Sequence, residues 1–459
     1  MKTIISSIQL GDHKADKQNA REQLALHYDA TERLARNSDL LTILKSTSVR
    51  ELNKKIMEGG HLSYEEAFCG MCYVVAATNS HVFTEIKDVL SEAYGVPFSR
   101  DNALIIGTAF LKLMADKETY DCLTPEEVAG MACAAKMDTV FELDINRVIE
   151  TCGMGGDKGF ASNGIVQKTI NGSTLSAIVL ASMGYTTAKH GSYGNTSAIG
   201  STEAIELLGV KTNIQSIECM NELLAKTNFC YLDAHLSKTI HDLSHLLMME
   251  TINHIIGPMS PPFSRDTQIN KVMGVNEKIH PEVIAKAYAL LHQKGVQKNG
   301  GIAIICGLDM SGMFIDYNDH AQVKQHCILD EMSPYASVVS LTYEDTFLGN
   351  FMVTSDDFGI SIAESDIYVG NDRKLAHSAN ISAITGLNHN LANYLAMSVA
   401  MGIFVYEGGE AGTMVQDGHL NFSLLKDCFM RARNAIDQGG ATILIEAYAS
   451  MSSQNNKEN

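Results

Sequence analysis

Arg147-Val148-Ile149-Glu150-Thr151-Cys152-Gly153-Met154-Gly155-Gly156-Asp157 is the stretch on which the fold turns: a short, largely apolar run that leads straight into a glycine-rich loop. Such a run predicts a strand, and the loop frees backbone N–H groups to close on an anion. Asn171-Gly172-Ser173-Thr174 then opens an apolar, small-residue segment, Leu175 to Met183, which reads as a helix whose N-terminus faces the same anion. Lys189-His190-Gly191-Ser192-Tyr193 adds a full positive charge. Strand, glycine loop, helix and lysine in that order suit a phosphorylated sugar.

Outward from this unit, strands are predicted at Tyr185 to Lys189, Gly301 to Cys306, Ser337 to Thr342 and Asn350 to Thr354, with helical segments between several of them. Leu391 to Tyr406 and Leu424 to Gly439 read as helices covering the sheet. The alternation predicts an α/β domain over residues 146–451, with a central mixed sheet flanked by helices. Upstream the pattern is helical. Ser63-Tyr-Glu-Glu66 and Thr124-Pro-Glu-Glu127 are capping boxes, the second with proline at the first helical position, so residues 51–145 form a small, mostly helical domain with a contribution from about 203–230. Residues 1–50, including the polar helical stretch Lys17 to Leu44, are an extension whose role the sequence does not state. Residues 452–459 form a polar tail expected to fray.

The chain has 459 residues, 45% of them hydrophobic and 19% charged, enough for a sizeable core divided between two domains. A net charge of −18 argues against a large nucleic-acid surface, so an anionic ligand must find a local pocket. The N-terminus lacks a secretory apolar core, and no stretch approaches a membrane span; a cytoplasmic enzyme is expected. Ten cysteines are then reduced thiols, and Cys69-Gly-Met-Cys72, inside a helical pattern with no second pair nearby, is read as core packing rather than redox or zinc chemistry.

These elements resemble the anthranilate phosphoribosyltransferases and their relatives in the nucleoside phosphorylase/phosphoribosyltransferase superfamily. That family carries a GTGGD loop where this chain has Gly153 to Asp157, N-I-S-T where it has Asn171 to Thr174, and KHGN followed by a Ser-rich stretch where Lys189-His190-Gly191-Ser192 leads to Gly200-Ser201. Ile255-Ile-Gly-Pro258, Lys271-Val-Met-Gly-Val275, Gly301 to Gly307, Asp330-Glu331-Met-Ser-Pro334 and Ala432 to Gly439 match later elements in order. The resemblance implies a helical domain packed on a larger α/β domain, a homodimer, and 5-phosphoribosyl 1-pyrophosphate bound with Mg²⁺. By carry-over, Asp330, Glu331 and Ser173 hold the metal, and Gly153, Gly155, Gly156, Asp157, Asn171, Ser173, Thr174, Lys189, Gly191 and Ser201 bind the donor. Paired carboxylates plus a hydroxyl suit Mg²⁺, which takes oxygen ligands shared between protein, phosphate and water. Asp309, closer to Gly307, is the rival acidic candidate, because an insertion separates Gly307 from Asp330.

The acceptor half departs from the family. Ser192 stands where the family has Asn, and Ser244 aligns with the Arg that contacts the anthranilate carboxylate; no serine replaces a planar bidentate donor. His190, Ser192, Tyr193, Ser244 and His245 are the expected acceptor contacts, and an aromatic or heteroaromatic acceptor other than anthranilate is expected. His241 and His245, one helical turn apart, are read as polar contacts rather than a zinc pair, since no third ligand has suitable spacing. Lys158 to Thr169 lengthens the link between loop and helix and is expected to be a surface loop. The expected activity is Mg²⁺-dependent phosphoribosyl transfer with release of pyrophosphate. A divergent anthranilate enzyme or a nucleoside phosphorylase is the alternative, and a catalytically silent binding protein of the same fold the third.

Overall fold

The structure is a computed structural model, and it describes residues 20, 21, 24 and 38–455 except 121, 122, 144, 163, 164, 195–197, 215 and 371. The side chains of Ser244 and His245 also lie outside what is described, as does most of the Lys17 to Leu44 stretch. The chain divides into two compact units. One takes the described residues up to Leu143 with Asn213–Met220 and Leu232–Phe263; the other takes the rest.

The smaller unit is helical because its segments are capped and because three helices pack without intervening bulk. Ser63 and Thr124 accept from the backbones of Glu66 and Glu127 in closed capping boxes, which start helices Tyr64–Thr78 and Pro125–Lys136 where the sequence predicts. The first of these helices is buried almost all round, against Arg100–Thr119 and Pro125–Lys136. A Cβ at Gly130 would stand 2.1 Å from the Tyr64 carbonyl oxygen, so glycine permits the close approach. Cys69 and Cys72 are both fully buried there, and burial pushes the Cys69 thiol up to about 11. Both cysteines are core.

The larger unit is built on a sheet in the order β10-β9-β7-β6-β1-β4-β5. Its strands are β1 (Arg147–Gly153), β4 (Thr187–Gly191), β5 (Phe229–Asp233), β6 (Gln268–Gly274), β7 (Lys298–Leu308), β9 (Ala336–Tyr343) and β10 (Thr346–Thr354), with β8 (Cys327–Leu329) paired to β7 and a separate hairpin of β2 (Phe160–Ser162) and β3 (Ile165–Gln167). β4, β1, β6 and β7 run parallel; β8, β9 and β10 are antiparallel additions, so the sheet is mixed as expected. Helix Gly172–Ser182 packs on β1 and β4 and against helices His389–Ile403 and Gly440–Asn455, which is why its sequence is apolar on every side. Helix Pro281–Gln293 packs on β7, β9 and β10.

Two elements differ from the sequence reading. The link Lys158 to Thr169 is not a plain loop: it carries the β2–β3 hairpin, whose Phe160 ring lies 5.4 Å from that of Tyr368. Helix Gly440–Asn455 carries the chain past Ser452, where fraying is expected; the Ser452 hydroxyl accepts from the Lys211 N–H at 3.1 Å, which anchors this turn, and residues 456–459 lie outside the described set.

Strand order places the site. From β1 the chain builds outward through β4 to β5, then returns to the other side of β1 as β6 and β7. The order therefore reverses between β1 and β6. In open α/β sheets the crevice beyond the carboxyl ends of the strands at such a reversal is where ligands bind.

Candidate functional site

Gly153 and Gly274 end β1 and β6 and are direct partners in the parallel register. Asp330 fills the space beyond them. A Cβ on Gly153 would stand 2.2 Å from Asp330 Oδ2, and one on Gly274 would stand 1.4 Å from the Asp330 carbonyl oxygen. The loop after β1 then turns through Gly155 and Gly156 with φ of +73° and +71°, a region open to glycine at little cost. That turn aims the Gly155 N–H at Asp330 Oδ2, 2.6 Å away. Asn276 clamps the loop from the other side, its amide donating to the Gly155 carbonyl at 2.8 Å.

Glu331 is held by the next ring of glycines. A Cβ on Gly172 would stand 2.6 Å from Glu331 Oε2, and one on Gly307 would stand 2.4 Å from its carbonyl oxygen. The Thr169 hydroxyl donates to Glu331 Oε1. The insertion between Gly307 and Asp330 thus leaves the acidic pair at the crevice. Asp309, the rival, caps the short helix Met310–Phe314 by accepting from the Gly312 N–H at 2.9 Å and pairs with His326 at 3.0 Å.

The electrostatics of the pair are unfavourable. Burial, reinforced by the Asp157 charge, raises Asp330 to about 6 despite the Gly155 N–H. Burial and then the Asp330 charge raise Glu331 to about 8. The Asp157 carboxylate is itself bridged by Lys168 at 2.9 Å, and Lys168 also donates to the Asp157 carbonyl at 2.6 Å, so this lysine is a built part of the loop rather than the free surface residue expected. Crowded carboxylates with raised pKa values are an oxygen-rich place for a hard dication.

Helix Gly172–Ser182 brings its N-terminus to the same place. Asn171 opens it without a side-chain cap; its side chain instead donates to the Ile199 carbonyl at 3.0 Å and accepts from Asn380 at 2.8 Å. The Ser173 carbonyl is fixed by Thr151 at 2.6 Å. Thr174 is fully buried and its hydroxyl has no hydrogen-bond partner among the described residues, an unmet polar group in the first turn of a helix. At the end of β4 the Lys189 ammonium is 2% exposed and donates to the His190 carbonyl at 2.9 Å; burial lowers its pKa. Gly191 lets Ser201 come in, since a Cβ there would stand 2.6 Å from that of Ser201.

The expected acceptor residues are placed as follows. His190 is buried beside Lys189, and the Ser192 carbonyl accepts from the Thr202 N–H at 3.0 Å. The Tyr193 hydroxyl is not free: it donates to Glu206 at 3.0 Å. In the smaller unit Ser244 and His245 fall on helix Ile240–Leu247, His254 pairs with Glu118 at 2.5 Å, and the rings of His235 and His241 lie 5.9 Å apart. His280, Glu282 and His320 of the larger unit also cluster, but His280 accepts from the Glu282 N–H through one ring nitrogen and meets the Tyr317 carbonyl at 3.2 Å with the other, which leaves it no lone pair for a metal.

Thr169, Asn276 and Asn380 are site residues that no sequence pattern indicates. Each is an isolated polar residue whose role depends on a distant partner.

Residues 146–303 match a family model described as glycosyl transferase family, a/b domain. The anthranilate phosphoribosyltransferase of Pyrococcus furiosus is 30% identical over 313 residues, 67% of this chain and 75% of that protein. That of Ignicoccus hospitalis is 28% identical over 362 residues, 78% of this chain and 88% of its own length. Among solved structures, the anthranilate phosphoribosyltransferase of Thermus thermophilus superposes with a TM-score of 0.60 at 21% identity, covering 88% of this chain and 99% of the other. The Saccharomyces cerevisiae enzyme in complex with PRPP and Mg gives 0.61 at 19% identity, covering 88% and 98%. With a mixed sheet that reverses at β1/β6 and an acidic pair seated in the reversal, this chain belongs to the anthranilate phosphoribosyltransferase family.

Proposed function

We propose that this enzyme transfers the phosphoribosyl group of 5-phosphoribosyl 1-pyrophosphate, with Mg²⁺, to a nitrogen of a small aromatic or heteroaromatic acceptor other than anthranilate. The observation that carries the donor half is the seating of Asp330 and Glu331 between the glycines that end β1 and β6, beside the open N-terminus of helix Gly172–Ser182. Two carboxylates whose ionised forms are disfavoured, and a buried Thr174 hydroxyl without a hydrogen-bond partner among the described residues, fit a magnesium diphosphate.

Within this reading Asp330 and Glu331 hold Mg²⁺, with Ser173 on the side of the diphosphate. Bound there, Mg²⁺ supplies neutralisation of the leaving group's charge. The Gly153–Asp157 loop and the first turn of the Gly172 helix bind phosphate oxygens through N–H groups, Thr174 donates its hydroxyl, and Lys189 supplies a buried positive charge. The acceptor nitrogen bonds to C1 through its lone pair as the bond from C1 to the pyrophosphate oxygen breaks; that electron pair leaves with pyrophosphate, and the nitrogen then gives up its proton to solvent. Asn171 and Ser201 orient the sugar.

The acceptor half rests on Ser192 and Ser244, which replace the Asn and the Arg expected of an anthranilate site. The relatives' names favour the competing reading, anthranilate itself. Pyrophosphate release from donor and Mg²⁺ in the presence of an amine panel that includes anthranilate separates them. Turnover confined to anthranilate overturns the acceptor assignment, and absence of donor binding by calorimetry overturns the whole. A homodimer and a cytoplasmic location accompany this reading, and mass by light scattering tests the first. Among the described residues no helix is long and apolar enough to cross a membrane.

A further inference from the structure

A helix that opens on asparagine ordinarily caps itself. The side-chain oxygen of an N-cap Asn accepts from the N–H groups two or three residues on, and so closes that end of the helix to an anion. Asn171 is the N-cap residue of helix Gly172–Ser182, yet its side chain makes no such bond. The Gly172 N–H is met by the Ile170 carbonyl at 2.8 Å, and the helical ladder begins with the Leu175 N–H on the Asn171 carbonyl at 3.0 Å. The Ser173 and Thr174 N–H groups between them are those that a cap would take. The Thr174 hydroxyl, fully buried and without a hydrogen-bond partner among the described residues, belongs to the same turn.

Asn171 is diverted by a side chain 209 residues further along the chain. Asn380, on helix Arg373–Ile384 and 2% exposed, meets it through both ends of its amide: Oδ1 accepts from the Asn171 N–H at 3.0 Å, and Nδ2 donates to Asn171 Oδ1 at 2.8 Å. Asn171 Nδ2 donates in turn to the Ile199 carbonyl at 3.0 Å. Oxygen and nitrogen of the Asn171 amide are thus both engaged outside its own helix. The backbone follows the same arrangement. A φ of −75° and a ψ of 63° at Asn171 are those of an inverse γ-turn, closed by the Gly172 N–H on the Ile170 carbonyl, and not the extended conformation from which an N-cap side chain reaches its helix.

We infer that Asn380 is a positioning residue: by holding the amide and the N–H of Asn171 it keeps helix Gly172–Ser182 uncapped, so that the diphosphate of the donor takes the Ser173 and Thr174 N–H groups. The inference deepens the proposed function and rests on its donor half. Asn380 needs no contact with the donor for this, because it acts through Asn171. The chain forgoes a local cap for a long-range contact, an exchange that a helix end without a ligand does not require.

The test titrates wild type, Asn380→Leu, Asn171→Ala and the double variant Asn171→Ala/Asn380→Leu with 5-phosphoribosyl 1-pyrophosphate and Mg²⁺ by calorimetry, and melts each without ligand. In Asn380→Leu the released Asn171 oxygen turns onto its own helix, and the donor should bind about tenfold more weakly because it has to displace that cap. In the Asn171→Ala background there is no oxygen to release, so adding Asn380→Leu should change the affinity by less than about threefold. A purely structural pair would instead lower the melting temperature of Asn380→Leu and leave the affinity of its folded fraction unchanged; that result overturns the inference. A loss of affinity that recurs in the Asn171→Ala background also overturns it, and that comparison decides the matter if Asn380→Leu alone does not fold. Asn380→Ala takes the place of Asn380→Leu wherever leucine is not accommodated. Absence of binding by wild type overturns the donor reading itself, and the inference with it.

Discussion

Carboxylates are handled in opposite ways at Asp138 and Glu127 of the smaller unit and at Asp330 and Glu331 of the larger. In the smaller one, Asp138 accepts from the N–H groups of Thr239 and Ile240, both at 2.7 Å, from Asn79 at 3.1 Å and from the Thr239 hydroxyl. Glu127 is bridged by Lys117 at 2.5 Å and caps Leu62 at 2.8 Å and Thr124 at 3.0 Å. In the larger unit, Asp330 and Glu331 crowd each other and Asp157, and the Thr174 hydroxyl has no hydrogen-bond partner among the described residues. Complete partnering is what a scaffold requires, since an unmet buried group costs about 1–3 kcal/mol. At Asp330, Glu331 and Thr174 the donor and Mg²⁺ of the proposed function would supply the partners.

The comparison breaks most severely if the acidic pair is neutralised. Asp330→Asn/Glu331→Gln should lose about a thousandfold in Mg²⁺-dependent donor affinity by calorimetry, while the metal-free melting temperature rises, because the repulsion is gone. A loss of both would place the pair among structural charges like Asp138. Gly274→Ala alters no charge yet forces a Cβ onto the Asp330 carbonyl, so it should destabilise the fold by about 3 kcal/mol in urea and abolish donor binding in what remains folded.

On the other side of the contrast, Asp138→Ala strands the donors of Asn79, Thr239 and Ile240 and should cost about 2 kcal/mol, with donor affinity of the folded protein unchanged. The acid–base prediction has a definite sign. Asp330 and Glu331 are raised in the fold, to about 6 and about 8, so they favour the metal-free fold at low pH and this contribution is lost as pH rises through those values. The metal-free melting temperature should fall by a few degrees, on the order of 2–4 °C, across that window. Mg²⁺ affinity should rise across it, because the metal competes with protons for the same oxygens. A flat profile in both would remove the electrostatic account. Smallest of all, Thr174→Val should weaken donor binding about fivefold and raise the ligand-free stability by about 1 kcal/mol, since the buried hydroxyl has no hydrogen-bond partner among the described residues.

How far the sequence was legible follows from the range of the interaction concerned. The two capping boxes were readable because Ser63 and Glu66, or Thr124 and Glu127, meet within one helical turn. The β1 run and its glycine loop were readable for the same reason. β5, β8 and the β2–β3 hairpin were not, because short strands depend on neighbours far along the chain. Spacing alone leaves Asp309 and Asp330 as rivals, and the structure seats Asp330 against Gly153 and Gly274 while Asp309 caps a short helix. Tyr193, an expected acceptor contact, instead donates to Glu206, a local engagement of a loop residue that carries no sequence sign.

By itself the sequence determined the order of elements, the glycine loop that can turn on an anion, the apolar helix behind it, and the residues on which the donor reading stands. Local sterics and periodicity suffice for that. Only the tertiary structure decided that β6 returns beside β1, that two strand-ending glycines leave room for one aspartate, and that Glu150 falls opposite the buried Lys271. Those placements are contacts between residues far apart in sequence, and the packing of the sheet, rather than any local preference, fixes which charges are paired and which are left for a ligand.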